Sequence, residues 1–255
     1  MAVRSGDDRE EFFGGTPGPG DDHARAEALI AEGLRGARPE EIPGRLCAAL
    51  VELLPVSGAS VSLRSDGLPV RISASDEAAS YLAELQATVG EGPGMLAGRL
   101  GATVLARDLT AGRDPQRWPV FAHEATAAGV AAVYSLPLGI DALCVGTLDL
   151  YRGTPGDLTE RQLRTARRVA WLLTEALAAL PWEENGERGD EPWVCGLAAD
   201  HDEINQAVGM IMAQLGADAA EALARLRGHA FVLGRTVLEV ARDVVARRMR
   251  FEGDL

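Results

Sequence analysis

The chain contains no lysine: all 25 of its basic residues are arginine, set against 38 aspartates and glutamates. That bias points to a genome of high G+C content, and it leaves a net charge of −13. A field of that sign repels phosphate backbones at long range. It excludes a general nucleic-acid coat protein and confines any nucleic-acid contact to a local cationic patch. Long apolar runs are also missing. No stretch approaches the roughly 18 residues needed to cross a bilayer, and no basic start followed by an apolar segment suggests export. A cytoplasmic protein that makes no use of a membrane is therefore expected. Cys47, Cys144 and Cys195 are an odd number at wide spacing, with no CxxC pair and no nearby histidine. They read as buried structural thiols, neither disulfide partners nor metal ligands. His23, His123, His201 and His229 are scattered, and none stands beside a Ser or Cys in a nucleophile motif. No catalytic residue, cofactor or metal site is assigned, and the chain reads as a non-enzyme.

What is present divides into four stretches. Residues 1–22 are rich in Gly, Asp and Pro and have no period, which predicts a disordered tail; Phe12 and Phe13 are its only bulky apolar pair. From His23 the pattern is helical, with Ala28, Leu29 and Leu34 on one face. A second helix, through Ile42, Leu46, Ala49, Leu50 and Leu53, stops at Pro55. Residues 59–64 alternate, with Val61 and Leu63 on one side and Ser60, Ser62 and Arg64 on the other. A second strand over 69–74 follows a turn at Asp66 and Gly67, giving a hairpin. A helix along Ala79, Leu82, Ala83 and Gln86 feeds the glycine-rich stretch 89–98. Its spacing is not GxGxxG and no strand leads straight into it, so it reads as a tight loop opening a helix, not as a phosphate cradle. Strands return at 103–106, 131–138 and 143–151, with a short helix led in by Trp118 and Pro119 between the first two. Thr159 and Gln162 then form a capping box for a long amphipathic helix. Strands interleaved with helices and closed by one long helix predict an α+β domain over 23–181, an antiparallel sheet with flanking helices. Residues 182–198, acidic and broken by Gly and Pro, read as a linker that Trp182 and Trp193 could anchor.

The remainder, 199–255, reads as a small all-α unit of three helices. Ile204, Ala207, Val208, Ile211, Met212 and Leu215 line one face of the first. Ala219, Ala222, Leu223, Leu226 and Ala230 line the second, and Val237, Val240, Ala241, Val244 and Val245 the third, which is drawn to Arg250. Asp200 with Glu203, Asp218 with Glu221 and Thr236 with Glu239 supply capping signals, each worth about 1 kcal/mol. Gly216 and Gly234 supply left-handed residues that close the first two helices. A unit of this size leaves little room for a catalytic cleft.

Two resemblances rest on these residues. The run INQAVGMIM from Ile204 to Met212, AAEALARLR from Ala219 to Arg227, Ala230, and LEVARDVV from Leu238 to Val245 resemble the ANTAR domain of transcription antitermination regulators. That resemblance implies binding to RNA hairpins in nascent transcripts, as a homodimer. The run LQATVGEGPGMLA from Leu85 to Ala97, Asp108 with Leu109, RWPVFA from Arg117 to Ala122, Gly129 with Val130, SLPL from Ser135 to Leu138 and GTLDLYR from Gly146 to Arg152 resemble a GAF domain. That implies a sensor: some members of the family take a small-molecule ligand and many only dimerise, and both the presence and the identity of a ligand stay open. Met95 stands where related sensors often have Cys, which gives no support to a thiol-based signal.

Hairpin recognition needs Arg for phosphates and polar side chains for unstacked base edges. Arg227, Arg235 and Arg242 are assigned to RNA, with His201 and Gln206 near the start of the first helix as base-edge candidates. Arg242 points away from the Val stripe of its helix, whereas Arg248 would lie near it. Val208 stands where the family often has Lys, and His201 where Arg is common, so one copy brings a modest grip. Three alternatives stay open. The arginines could pair with Glu203, Glu221, Glu239 and Asp243 on a solvated face. The helices could meet a protein partner in a non-enzymatic signalling adaptor. They could also form a DNA-binding helix-turn-helix, although Glu239 and Asp243 make a poor face for a major groove.

Overall fold

A computed structural model of the protein describes residues 19–65, 68–140, 143–179 and 192–251. Five strands, β1 (Gly58–Ser65), β2 (Leu68–Ala74), β3 (Val104–Ala106), β4 (Ala132–Ile140) and β5 (Leu143–Arg152), form one antiparallel sheet in the order β2-β1-β5-β4-β3. Because side chains alternate along a strand, each face of the sheet has its own chemistry. Ala59, Val61, Tyr134, Leu136, Leu138, Leu148 and Leu150 face one way, into an apolar core. That core is closed by Ile30 of α1 (Pro19–Leu34), Leu46 and Leu50 of α2 (Ile42–Leu53), and Val169 and Leu173 of α7 (Glu160–Ala178). The opposite face carries buried Ser60, Ser62, Ser135, Thr147 and Asp149 together with Tyr151. It is covered by α3 (Glu77–Val89), α4 (Pro93–Leu100) and α6 (Pro119–Ala127), with the short α5 (Asp114–Arg117) alongside.

The local signals mostly act as expected. Thr159 and Gln162 make the full capping box of α7, and Asp76, which was not singled out from the sequence as a cap, caps α3 by accepting from Ala79 N. The glycine-rich stretch is a tight loop: Gly90, with φ of 74°, closes α3, and Gly92 leads into α4 at Pro93. Only glycine tolerates these left-handed positions without strain. The turn at Asp66 and Gly67, together with Phe12, Phe13 and Trp182, lies outside the described residues.

At five points the structure departs from these expectations. The stretch assigned to a tail up to residue 22 already contains helix, since α1 begins at Pro19. The buried face of that helix is Ala26 and Ile30, with Ala28 exposed. The segment drawn as a linker through residue 198 is helical from Pro192, because α8 runs Pro192–Leu215. Asp200 is therefore interior to that helix, and its pairing with Glu203 is not an N-cap. The proline signal at a first helical turn outweighed the capping pattern eight residues later. Finally, α10 spans only Val237–Val245. Arg247 then turns left-handed with φ of 58°, and the N–H groups of Arg248 and Met249 both donate to Asp243 O. The segment folds back so that Phe251 N donates to Gln214 Oε1 and the Phe251 ring meets His229 edge-on at 5.1 Å.

The three C-terminal helices, α8, α9 (Ala219–Val232) and α10, share a separate core of Ile204, Ala207, Ile211, Ala222, Leu226, Ala230, Val240 and Val244. Asp218 caps α9 and the Thr236–Glu239 box caps α10, as the sequence predicts. The helical unit rests on the sheet domain where α9 and α10 meet the end of α3.

Candidate functional site

The polar interior of the sheet domain is built around Asp149. Its position in β5 turns it away from the Leu148–Leu150 core and toward α3, and it is 2% exposed. Gln86, on the inner side of α3, bridges two elements: its Nε2 donates to Asp149 Oδ2 at 2.7 Å, and its Oε1 accepts from Gly94 N at 2.7 Å. Gly94 has no room for a side chain there, since a Cβ would lie 2.5 Å from Asp149 Oδ2. Burial pushes the Asp149 carboxyl up to about 6, opposed by Ser135 and Gln86. Ser135, its cross-strand partner, is close enough to damp that rise, but the contact falls outside standard hydrogen-bond geometry. Ser135 Oγ and Asp149 Oδ1 are both buried without a hydrogen bond. Burial and the neighbouring Asp149 charge likewise push the Tyr151 phenol well up, while its OH bonds Ser60 Oγ at 2.9 Å. Beyond Gly94 a shallow cleft opens between β1, β5 and α4, lined by Ser62, Arg64, Met95, Arg99 and Thr147 among others. It has room for little more than a water.

In the helical unit the assigned arginines are each held by a different partner. Arg242 reaches from α10 to α8, with Nε donating to Glu203 Oε2 at 2.7 Å. Exposed Gln206 is one turn further along that helix. Arg235 donates to Asp243 Oδ2 at 2.7 Å and to Glu239 O at 3.1 Å. Hydrogen bonds from Arg235 and Arg248 hold the Asp243 carboxyl below the usual range. With α10 ending at Val245, Arg248 is an exposed partner of Asp243 and not an extension of the Val stripe. Arg225 pairs with Glu221 at 3.5 Å. The expectation that these arginines meet Glu203, Glu221 and Asp243 is thus met in this conformation, while Glu239 spends its carboxylate on the Thr236 cap. His201 is in α8, but its side chain lies outside the described residues.

Arg227 is different. Its Nε donates to Ala87 O at 3.0 Å, at the C-terminal end of α3, and its guanidinium lies over Gly90. Burial lowers its pKa, although Arg remains charged from a reference above about 12. Beside it, Val237 N, at the start of α10, donates to Thr88 Oγ1 at 3.4 Å. Asp149, Ser135 and Thr88 were not singled out from the sequence. The available signal was a carboxylate inside an otherwise apolar strand, on the face opposite two leucines, in a sheet with helices on both sides.

A sheet domain with a polar interior is thus in contact with a small arginine-bearing helical unit. A family model of the GAF domain matches residues 38–177, more than half of the chain, and one of the ANTAR domain matches residues 198–245. The chain belongs to the GAF family and carries an ANTAR domain after it. Both are regulatory families: GAF domains are sensors, and ANTAR domains are RNA-binding modules of transcription antitermination. Among solved structures, the chain is similar to the GAF domain of a phosphoenolpyruvate-protein phosphotransferase from Coxiella burnetii, at 16% identity and a TM-score of 0.49, covering 62% of this chain and 92% of that one. It is also similar to the free methionine-R-sulfoxide reductase of Neisseria meningitidis in complex with its substrate, at 15% identity and a TM-score of 0.49, covering 65% and 93%. Likenesses at this level carry no argument about chemistry. No curated protein matches the chain. Among the described residues no helix is long and apolar enough to cross a membrane, and no cluster of His, Cys, Asp and Glu could hold a metal ion.

Proposed function

We propose that the protein is a signal-responsive regulator of transcription antitermination, in which the GAF domain controls the grip of the ANTAR unit on hairpins in nascent RNA. The observation that carries this reading is the contact between the two: Arg227 and the first N–H of α10 rest on the same turn of α3 that sends Gln86 into the polar interior. A small ligand that widened the water-sized cleft beyond Gly94 and reached Asp149 would act directly on that turn. Arg242, Arg235 and Gln206, with His201, supply the phosphate and base-edge contacts. Their carboxylate partners are at least partly exposed, so a phosphate can displace them at little expense. Two copies in a homodimer would double a grip that is modest in one. The test is crosslinking and sequencing of RNA bound in cells, repeated with Arg242→Ala. Recovery of leader RNAs containing paired hairpins, reduced several-fold by the substitution, supports the reading. Recovery of no structured RNA above background defeats it.

A second reading has its own support. Phe231, Val232 and Leu233 at the end of α9 are 41%, 82% and 45% exposed, an apolar tip that suits a protein partner better than a polyanion. In that case the chain is a signalling adaptor, and purification from cells yields one stoichiometric protein and no RNA.

A further inference from the structure

The arginines of the helical unit are held in two ways. Arg225, Arg235, Arg242 and Arg248 meet carboxylates of their own unit. Arg227 is held by the other domain, at Ala87 O. Its partner is the C-terminal end of α3, where the last carbonyls of a helix lack intrahelical donors and the macrodipole presents roughly half a negative charge. Gly90 makes this possible: it closes α3 with φ of 74°, and a Cβ there would sit 2.9 Å from Arg227 Nη1. The guanidinium can lie on that turn only because nothing projects from it. The neighbouring contact has the same character. Thr88 donates its hydroxyl proton to Glu84 O at 2.9 Å and accepts from Val237 N, a donor at the start of α10 that has no partner within its own helix.

We infer that the final turn of α3 is a latch on the output unit, with Arg227 as the group it withholds from RNA, and that Gln86 ties the latch to Asp149. This rests on the RNA-binding reading above and specifies how the sensor acts on it. Three facts support it. With Nε given to Ala87 O and the side chain half-buried on α3, Arg227 cannot offer a phosphate its Nε–Nη fork, so latching and bidentate RNA binding compete for one side chain. A phosphate is the stronger partner, because charge-assisted hydrogen bonds exceed those to a neutral carbonyl, so the latch holds only while α3 is in place. And Gln86 and Ala87 are consecutive: one is fixed by Asp149 and Gly94, the other by Arg227. A ligand that competes for the Gln86 amide acts one residue away from the carbonyl that Arg227 grips. By linkage, RNA that captures Arg227 weakens or strengthens that ligand by the same factor as the ligand alters RNA affinity.

The test uses the full chain and leaves Arg227 intact. Gly90→Ala places a methyl group against Nη1 at a left-handed position, and Thr88→Val removes the hydroxyl while keeping the shape of the side chain, should the first variant fail to fold. Hydrogen exchange over residues 84–90 and 223–231 reports opening. Binding of a two-hairpin leader RNA recovered by crosslinking, across a salt series, reports release, with an unstructured RNA of equal length as control. Opening is expected to raise exchange in both segments and tighten hairpin binding by about 5- to 10-fold, the low end of usual coupling. The slope of log K on log salt should steepen by about 1, the mark of one added phosphate contact. Adding Arg227→Ala should abolish both gains. An opened protein that binds no more tightly, a gain that survives Arg227→Ala, or exchange that does not change refutes the latch alone. Absence of hairpin binding by every protein, opened or not, refutes the RNA reading beneath it.

Discussion

Asp149 should make the sheet domain less stable at neutral pH than it is in mild acid, and Asp149→Asn should remove that penalty. Burial raises the folded-state pKa of the carboxyl from an ordinary 3.8 to about 6. The native state therefore holds its proton more tightly than the unfolded chain does. Below about pH 4 both states are protonated and nothing is lost. Between about 4 and 6 the unfolded state releases the proton first, so stability falls as pH rises; above about 6 the loss is complete. At about 1.4 kcal/mol for each pH unit of difference, the loss is on the order of 3 kcal/mol. Asparagine keeps the shape, accepts from Gln86 Nε2 through its oxygen, and offers Ser135 Oγ a donor that the ionised carboxylate lacks. Urea unfolding of both proteins at intervals from pH 4 to pH 8, followed by circular dichroism, isolates the effect as a difference, because the other carboxylates are common to both. The variant is expected to match the wild type near pH 4 and exceed it by about 3 kcal/mol at pH 7.5, roughly 6–12 °C in Tm for a domain of this size. A difference that does not change between pH 4 and 7, or a variant less stable at pH 7.5, would show that the carboxylate is solvated or paired in a way the Gln86 contact does not capture. If the expectation holds, the domain carries a buried acid that weakens it, and such a group is better explained by what it binds than by what it stabilises.

Thr236→Ala breaks the capping box of α10, in which Thr236 Oγ1 accepts from Glu239 N and Glu239 reaches back to Thr236 N; a loss of about 1 kcal/mol is expected in chemical denaturation of the helical unit. Gly146→Ala puts a Cβ 2.3 Å from the backbone oxygen of Ser62, where β1 and β5 pair. It should destabilise the sheet domain by about 3 kcal/mol or more, at the upper end for overpacking, and a melting temperature within a degree of wild type would refute it. Cys47 is fully buried with its thiol pushed up to about 12 by burial. Mass mapping after treatment with a thiol reagent at pH 8 should find it unmodified in the native protein and labelled only on unfolding.

Elements whose signals are local were legible in the sequence, and those set by distant contacts were not. The caps at Thr159, Asp218 and Thr236 each act within one turn, so reading the residues sufficed. The alternation of β1 placed Val61 and Leu63 on one face without reference to the partner strand. What failed was competition between two local signals: Pro192 against Asp200 for the start of α8, and the continuing helical pattern of residues 246–250 against the pull of Gln214 and His229 on Phe251. Arg227 illustrates the second limit. On its helix it looks like any solvated arginine, and only the meeting of residues 140 positions apart gives it Ala87 as a partner.

The same meeting changes what the acidic charge of the chain means for RNA. A net charge of −13 argues against nucleic acid as long as charge is treated as spread over the surface. In the structure it is not spread. Arg235 and Arg242 each sit within 2.7 Å of a carboxylate oxygen, and Arg235 and Arg248 share Asp243. Exposed pairs of this kind contribute only about 0–1 kcal/mol each, so exchanging Glu203 for a phosphate at Arg242 is nearly neutral locally. The acidic field acts instead on the approach of the whole RNA. It disfavours any strand that offers one or two phosphates and can be overcome only by a ligand that presents several at fixed spacing, together with bases within reach of Gln206 and His201. A folded hairpin meets that condition and an unstructured strand does not. In this reading the missing lysines and the surplus carboxylates supply selectivity, and withdrawing a single guanidinium, as α3 does with Arg227, is enough to shift the balance.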